Sequence, residues 1–187
     1  MFVEDLPISG LKAFRAHRIE DTRGYFSEIF NKNKFVDAGL PIAFVQDNES
    51  FSRKSGTIRG LHFQLPPRGQ GKLIRVLRGR IFDVAVDIRK GSETFGKHVS
   101  IELSAENQLQ FWIPSGFAHG FCTLEPECLV TYKVTDFFVP ELDSGIAWND
   151  PVLKIDWPVA EGDATLSEKD RSHPPLSSLK YRLDTIE

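Results

Sequence analysis

Hydrophobic side chains in this sequence recur at every second position, in short runs broken by glycine, proline and asparagine. Residues 80–88 show the pattern best: Ile81, Asp83, Ala85 and Asp87 share one face, and Phe82, Val84, Val86 and Ile88 share the other. A second run, 73–78, leads into it through Gly79, so the two read as β-strands joined by a tight turn. Similar strand signals fall at 11–18, 26–30, 44–51, 57–63, 98–103, 108–113, 120–124 and 129–138. Helical signals are few: one helix over 31–38, ended by Gly39 and Pro41, and short turns around 167–171 and 175–180. About ten short strands predict an all-β jelly roll or barrel rather than a βαβ fold. Texture alone leaves open a sandwich with no internal site.

No repeat, low-complexity tract or linker divides the 187 residues, which read as one domain over 1–187 with a helical tail from about 167. Fifteen Phe argue for a core packed with rings, and a formal net charge of -3 gives no electrostatic case for nucleic acid or an anionic membrane. No run reaches the roughly 20 apolar residues of a membrane span, and none follows a basic start. Cys122 and Cys128 are too few for a disulfide scaffold and read as buried thiols. The expectation is a reduced, cytoplasmic, soluble protein. The sequon Asn48-Glu49-Ser50 carries little weight without a secretion signal.

Of the five histidines, His17, His98 and His173 have no chemical company in sequence and read as surface or structural. His62 and His119 differ. Thr57-Ile58-Arg59-Gly60-Leu61-His62-Phe63-Gln64 would turn Gly60, His62 and Gln64 to one face, and Lys72 opens the next strand. Ile113-Pro114-Ser115-Gly116-Phe117-Ala118-His119 is a turn that delivers a histidine into a strand. Together these segments resemble the paired half-motifs of a cupin barrel, which implies that both point into its mouth. Metal-binding cupins supply His-x-His and a downstream carboxylate. Here the triplet is His62-Phe63-Gln64 and the downstream residue is Lys72, a cation that cannot ligate a metal. Arg23, Arg59 and Lys72 are cations in or beside strands, Glu28, Asp83 and Asp143 are nearby acids, and Gln46, Asn48 and Asn149 are neutral hydrogen-bonding groups. A cavity combining His with Arg and Lys suits an anionic ligand and acid–base chemistry.

The chain also resembles the dTDP-4-dehydrorhamnose 3,5-epimerases, from near its N-terminus to about residue 180. The matching segments are Asp21-Thr22-Arg23-Gly24-Tyr25-Phe26-Ser27-Glu28, Gln46-Asp47-Asn48-Glu49-Ser50, the Arg59–His62 and Lys72 runs, Trp112-Ile113-Pro114 through Phe121, Tyr132-Lys133-Val134-Thr135-Asp136, Trp148-Asn149-Asp150-Pro151 and Leu166-Ser167-Glu168-Lys169-Asp170. The resemblance implies proton abstraction beside the C4 ketone of a dTDP-linked 4-keto-6-deoxy sugar, with neither metal nor cofactor. It assigns His62 as base, Asp170 as its carboxylate partner, Tyr132 as the opposing acid and Lys72 as stabiliser of the enolate. Arg23 and Arg59 look like a diphosphate clamp. Phe26, Glu28, Gln46, Asp47, Asn48, His119, Asp143 and Lys169 look like further ligand contacts. Relatives act as homodimers that share N-terminal segments, and Phe2, Val3 and Leu6 would offer an apolar strand edge. Two departures stand out. Asp143 replaces the family's usual Glu, and Phe137 and Phe138 stand where relatives commonly carry tyrosines, keeping a ring but losing the hydroxyl.

Overall fold

The computed structural model describes residues 2–40 and 43–179. Its strands, in chain order, are β1 (Phe2–Asp5), β2 (Lys12–Arg15), β3 (Arg18–Asp21), β4 (Gly24–Ser27), β5 (Gln46–Ser52), β6 (Ile58–Gln64), β7 (Lys72–Arg78), β8 (Arg80–Asp87), β9 (His98–Ser104), β10 (Leu109–Ile113), β11 (Phe117–Thr123), β12 (Cys128–Val134) and β13 (Asp143–Gly145). One sheet runs β1-β2-β10-β7-β12-β5 and a second β13-β6-β11-β8-β9, while β3 and β4 pair only with each other. Every pairing between these strands is antiparallel. This is the jelly-roll barrel that the alternating texture predicted.

The bend at Gly79 joins β7 and β8, but they do not pair. It carries the chain from one sheet to the other, so the turn is a corner of the barrel and not a hairpin. Ile74 and Val76 of β7 meet Ile81 and Ala85 of β8 in the enclosed interior, with Phe111, Phe117, Phe121, Cys128 and Val130. The opposite face of β8 is apolar as well: Val84, Val86 and Ile88 pack with Leu61, Phe63, Ile146, Leu153 and Leu176, so the chain after β13 covers the outside of the second sheet. A strand buried on both faces explains why apolar residues recur on both faces of 80–88.

Helix α1 (Lys32–Asp37) covers the first sheet. Asn31 caps it, accepting from the backbone N–H groups of Asn33 and Lys34, and Gly39 ends it in a left-handed conformation. Its one buried side chain, Phe35, stacks on Phe14 of β2 with ring centroids 4.8 Å apart, and burying such a ring is worth about 2–3 kcal/mol. The short helix α2 (Glu168–Arg171) is capped by Ser167, and a single 3-10 turn follows at Leu176–Ser178. The strand expected at 11–18 is two strands, β2 and the start of β3, and the one expected at 26–30 ends at Ser27. The strand expected at 129–138 stops at Val134, which leaves Phe137 and Phe138 in an exposed turn. Residue 180, the end of the last expected turn, and Pro41 lie outside the described residues. No helix is long and apolar enough to cross a membrane among the described residues.

Candidate active site

At one end of the barrel the apolar interior gives way to polar side chains around a cavity of about 420 Å³. Ser50 of β5, Arg59 and His62 of β6, Lys72 of β7, His119 and Phe121 of β11, Tyr132 of β12 and Ser167, Lys169 and Asp170 at α2 all line it. An adjoining cavity of about 320 Å³ shares His62, Lys72, Tyr132 and Lys169 and adds Gln46, Asn48, Phe138 and Asp143.

Strict alternation would put Arg59 and His62 on opposite faces of β6, three residues apart. They share the cavity because the register between β6 and β11 shifts: His119 faces His62, but Phe121 faces Arg59. The shift falls beside Gly60, which has φ +142 and whose hypothetical Cβ would sit 2.5 Å from the Cα of Gly120. Only glycine permits that approach of the two backbones.

His62 Nε2 lies 2.6 Å from Asp170 Oδ1. With Nε2–H donated to the carboxylate, Nδ1 is left to take a proton. Asp170 is buried on α2, and its backbone N–H donates to Ser167 Oγ at 3.1 Å. Burial works to raise its pKa, but the hydrogen bonds from His62 and Ser167 outweigh it and hold the carboxyl below its usual range. A third ring, His173, has Nε2 3.8 Å from Asp170 Oδ1. Donor atoms of His62, Asp170 and His173 all lie within 4.8 Å of one another. A shared zinc ion would set its ligands roughly 3.3 Å apart, from bonds of about 2.0 Å in a tetrahedron. The 2.6 Å contact is a hydrogen bond, and the trio does not fit an ion in this arrangement.

Lys72 is buried, and its Nζ donates to the carbonyl of His62 at 3.3 Å. Burial brings its pKa down to about 8, against the pull of Asp143 and Asp83. Burial also raises the pKa of the Tyr132 phenol, against the pull of Arg59, so that it keeps its proton. Arg59 is braced from β5, its Nε donating to Ser52 Oγ at 3.1 Å and Nη2 to the carbonyl of Phe51 at 2.9 Å. Asp83, fully buried on β8, lies 2.9 Å from His119 Nε2 and forms a second imidazole–carboxylate pair. Burial raises its pKa, opposed by His119 and Lys72, and its Oδ2 has no hydrogen-bond partner among the described residues.

The two cavities thus bring together His62, Tyr132, Asp170, Lys72, Gln46, Asn48, Arg59, His119, Asp143 and Lys169. Asp143 pairs with Lys169 across the rim, and Phe138 stands at the mouth of the second cavity. Four sequence-predicted residues line neither cavity. Asp47 points outward from β5 and pairs with Lys133 at 2.9 Å. Arg23 and Phe26 sit on the β3–β4 hairpin, where Arg23 pairs with Asp21 at 2.5 Å. Glu28 pairs with Lys34 at 2.6 Å. The sequence offers Asp83 as an acid without a role, although a carboxylate in so apolar a strand is its signal. The sequence reads His173 as surface or structural, yet it stands against the dyad.

An imidazole backed by a carboxylate, a phenol that keeps its proton and a buried cation face one polar cavity inside a cupin-type jelly roll. That fold and that site are those of an enzyme equipped for acid–base chemistry. The family profile described as dTDP-4-dehydrorhamnose 3,5-epimerase matches residues 5–178, and the chain belongs to that family. A Sinorhizobium fredii dTDP-4-dehydrorhamnose 3,5-epimerase is 50% identical over 179 residues, covering 96% of this chain and 91% of the relative. The Legionella pneumophila dTDP-6-deoxy-D-glucose-3,5-epimerase, solved in complex with dTDP-4-keto-L-rhamnose, superposes with a TM-score of 0.93 at 43% identity, covering 100% of this chain and 98% of that one. The Bacillus anthracis enzyme, solved with TDP and PPi bound, gives 0.91 at 46% identity, covering 93% and 98%.

Proposed function

We propose that this chain converts dTDP-4-dehydro-6-deoxy-D-glucose to dTDP-4-dehydro-L-rhamnose by epimerising C3 and C5, a step in dTDP-L-rhamnose biosynthesis. The observation that carries this reading is the grouping of the His62–Asp170 dyad, Tyr132 and Lys72 around a single cavity. The C4 ketone acidifies the hydrogens on C3 and C5. His62 Nδ1 takes one as a proton, and the C–H electron pair moves into an enolate. The positive charge on the imidazolium is balanced by Asp170. The Lys72 ammonium faces the C4 oxygen, where it is most favourable once that oxygen gains charge, so it lowers the barrier. Tyr132 returns a proton to the opposite face of the ring, and solvent restores both groups before the second carbon reacts. Arg59 and His119 take the diphosphate and sugar, with Gln46, Asn48, Asp143 and Lys169 toward the nucleoside and sugar.

The working unit in this reading is a homodimer. Arg23, Phe26, Glu28 and Asp47, which line neither cavity of the site, would contribute to ligand binding across the dimer. Its place is the cytoplasm, in keeping with the free, buried thiols of Cys122 and Cys128.

The test is NMR of the 4-keto sugar nucleotide in heavy water. Wild-type protein is expected to deuterate both C3 and C5. His62→Ala should incorporate none, whereas Tyr132→Phe should still exchange but fail to invert. Wild-type-like exchange in His62→Ala would sink the base assignment, and deuterium at one carbon in the wild type would reduce the activity to a single-carbon epimerase.

A further inference from the structure

His173 has no part in the mechanism above and lines neither cavity, yet its setting is built. Its side chain is 9% exposed, packed against Gly145 of β13, where a Cβ would come within 2.5 Å of its Nε2 and 2.6 Å of its Cε1. The missing side chain at Gly145 is therefore a slot for this imidazole. In the slot, the ring stands edge-on to that of His62, with centroids 5.4 Å apart. Nε2 is buried and lacks a hydrogen-bond partner among the described residues, and Asp170 Oδ1 is 3.8 Å away. A buried polar atom left unpaired is costly. Catalytic hydrogen bonds that are long in an empty site often shorten when substrate binds.

We propose that His173 is a positioning residue, a second imidazole that shares the Asp170 carboxylate with His62 and limits how strongly the dyad holds a proton on its base. The inference rests on the epimerase reading for its role in turnover, but not for its effect on the dyad. The charged and titratable groups facing His173 are His62 on β6, Asp143 on β13, and Lys169 and Asp170 on α2. His62 is faced in addition by Lys72 of β7 through its own carbonyl. Burial first, and the charge of His62 second, lower the pKa of His173. Its Nε2 faces the same Asp170 oxygen that His62 holds, so the two rings compete for one carboxylate. When His62 takes the substrate proton, the carboxylate turns fully to the new imidazolium, and two adjacent imidazolium rings are avoided. Asp170 is the hinge of this exchange, since its Oδ1 is the atom both rings approach.

The experiment compares wild type, His173→Phe and His173→Gln. Phenylalanine fills the slot without a donor, and the glutamine amide restores one that cannot titrate. In His173→Phe the acid limb of the kcat/KM profile should move up by roughly 0.5–1 pH unit, so that activity on the acid side falls about three- to tenfold while the plateau at higher pH is kept. His173→Gln should return the limb to its wild-type position. The His62 ring resonance, followed by NMR against pH without substrate, should show the same upward movement in His173→Phe and its reversal in His173→Gln. Unmoved His62 titration in a folded His173→Phe variant overturns the proposal, as does a shift that glutamine does not reverse. Absence of turnover in the wild type would instead overturn the epimerase reading, and the ring titration would still decide the role of His173.

Discussion

In the proposed mechanism, catalysis and stability pull against each other at Lys72. It projects from the inner face of β7 and is 9% exposed, with burial lowering its pKa to about 8. In the unfolded chain its pKa would be about 10.4. Between those values the unfolded chain binds a proton that the folded chain has released, so stability rises with pH across the window. Below about pH 8 the folded protein carries a buried ammonium at a cost. In the proposed mechanism activity has the opposite sign, because only the ammonium can stabilise a developing enolate. Lys72→Met should therefore stabilise the fold at pH 7 by an amount on the order of 2 kcal/mol. The same change should lower kcat by about 10³-fold or more. Chemical denaturation beside turnover measures both, and a Lys72→Met variant less stable than wild type would contradict the cost assigned to burial. The sequence makes His62 and Lys72 conspicuous because polar groups interrupt strands whose neighbours are apolar, and Tyr132 only through the family resemblance. It could not pair His62 with Asp170, 108 positions away, except through the family resemblance. His173 reads as surface or structural for a more local reason. Its slot is formed by Gly145 on β13, a three-residue strand that leaves no periodic signal.

Strand β6 shows where a period-two reading holds and where it breaks. Alternation predicted Gly60, His62 and Gln64 on one face, but the register shift against β11 brings Arg59 to the cavity with His62. A shift of this kind depends on how two backbones meet, and the sequence hints at it only through the glycines at 60 and 120. Substituting Gly60 with Ala would force a side chain into a left-handed conformation and against Gly120. The expected loss is about 3 kcal/mol, which for a domain of this size lowers Tm by roughly 6–12 °C. Differential scanning calorimetry checks the number, and a Gly60→Ala variant melting within about two degrees of wild type would show that the approach of β6 to β11 tolerates a methyl group. Elements stiffened by local chemistry were easier to anticipate. Asn31 with Gly39 delimits α1, and Ser167 opens α2, each within a residue or two of its expected bounds. The corner at Gly79 was legible as a turn, yet whether two strands joined by a turn pair or part is decided by the sheets they join.

At the scale of the whole molecule, the β3–β4 hairpin is the element the barrel does not absorb. It is bonded as a strand pair to nothing else, and it holds Ile19, Tyr25 and Phe26 at 60%, 53% and 68% exposure. A lone two-stranded hairpin is marginal in water, and clustered exposed apolar side chains mark a surface that another molecule covers. The same hairpin carries Arg23 away from the cavity of its own chain. A second copy accounts for both facts at once: it would cover the apolar side chains, and it would receive an arginine suited to a diphosphate. The wild type is then expected to sediment at twice the 21.2 kDa chain mass. Replacing Ile19 and Phe26 together with Glu should yield monomers and reduce kcat/KM by about tenfold or more, chiefly through KM. The barrel's melting should change far less, because neither side chain belongs to the buried clusters. If the double variant remained dimeric, or became monomeric with full activity, the hairpin would be no part of a shared site, and Arg23 would have to reach the ligand within its own chain.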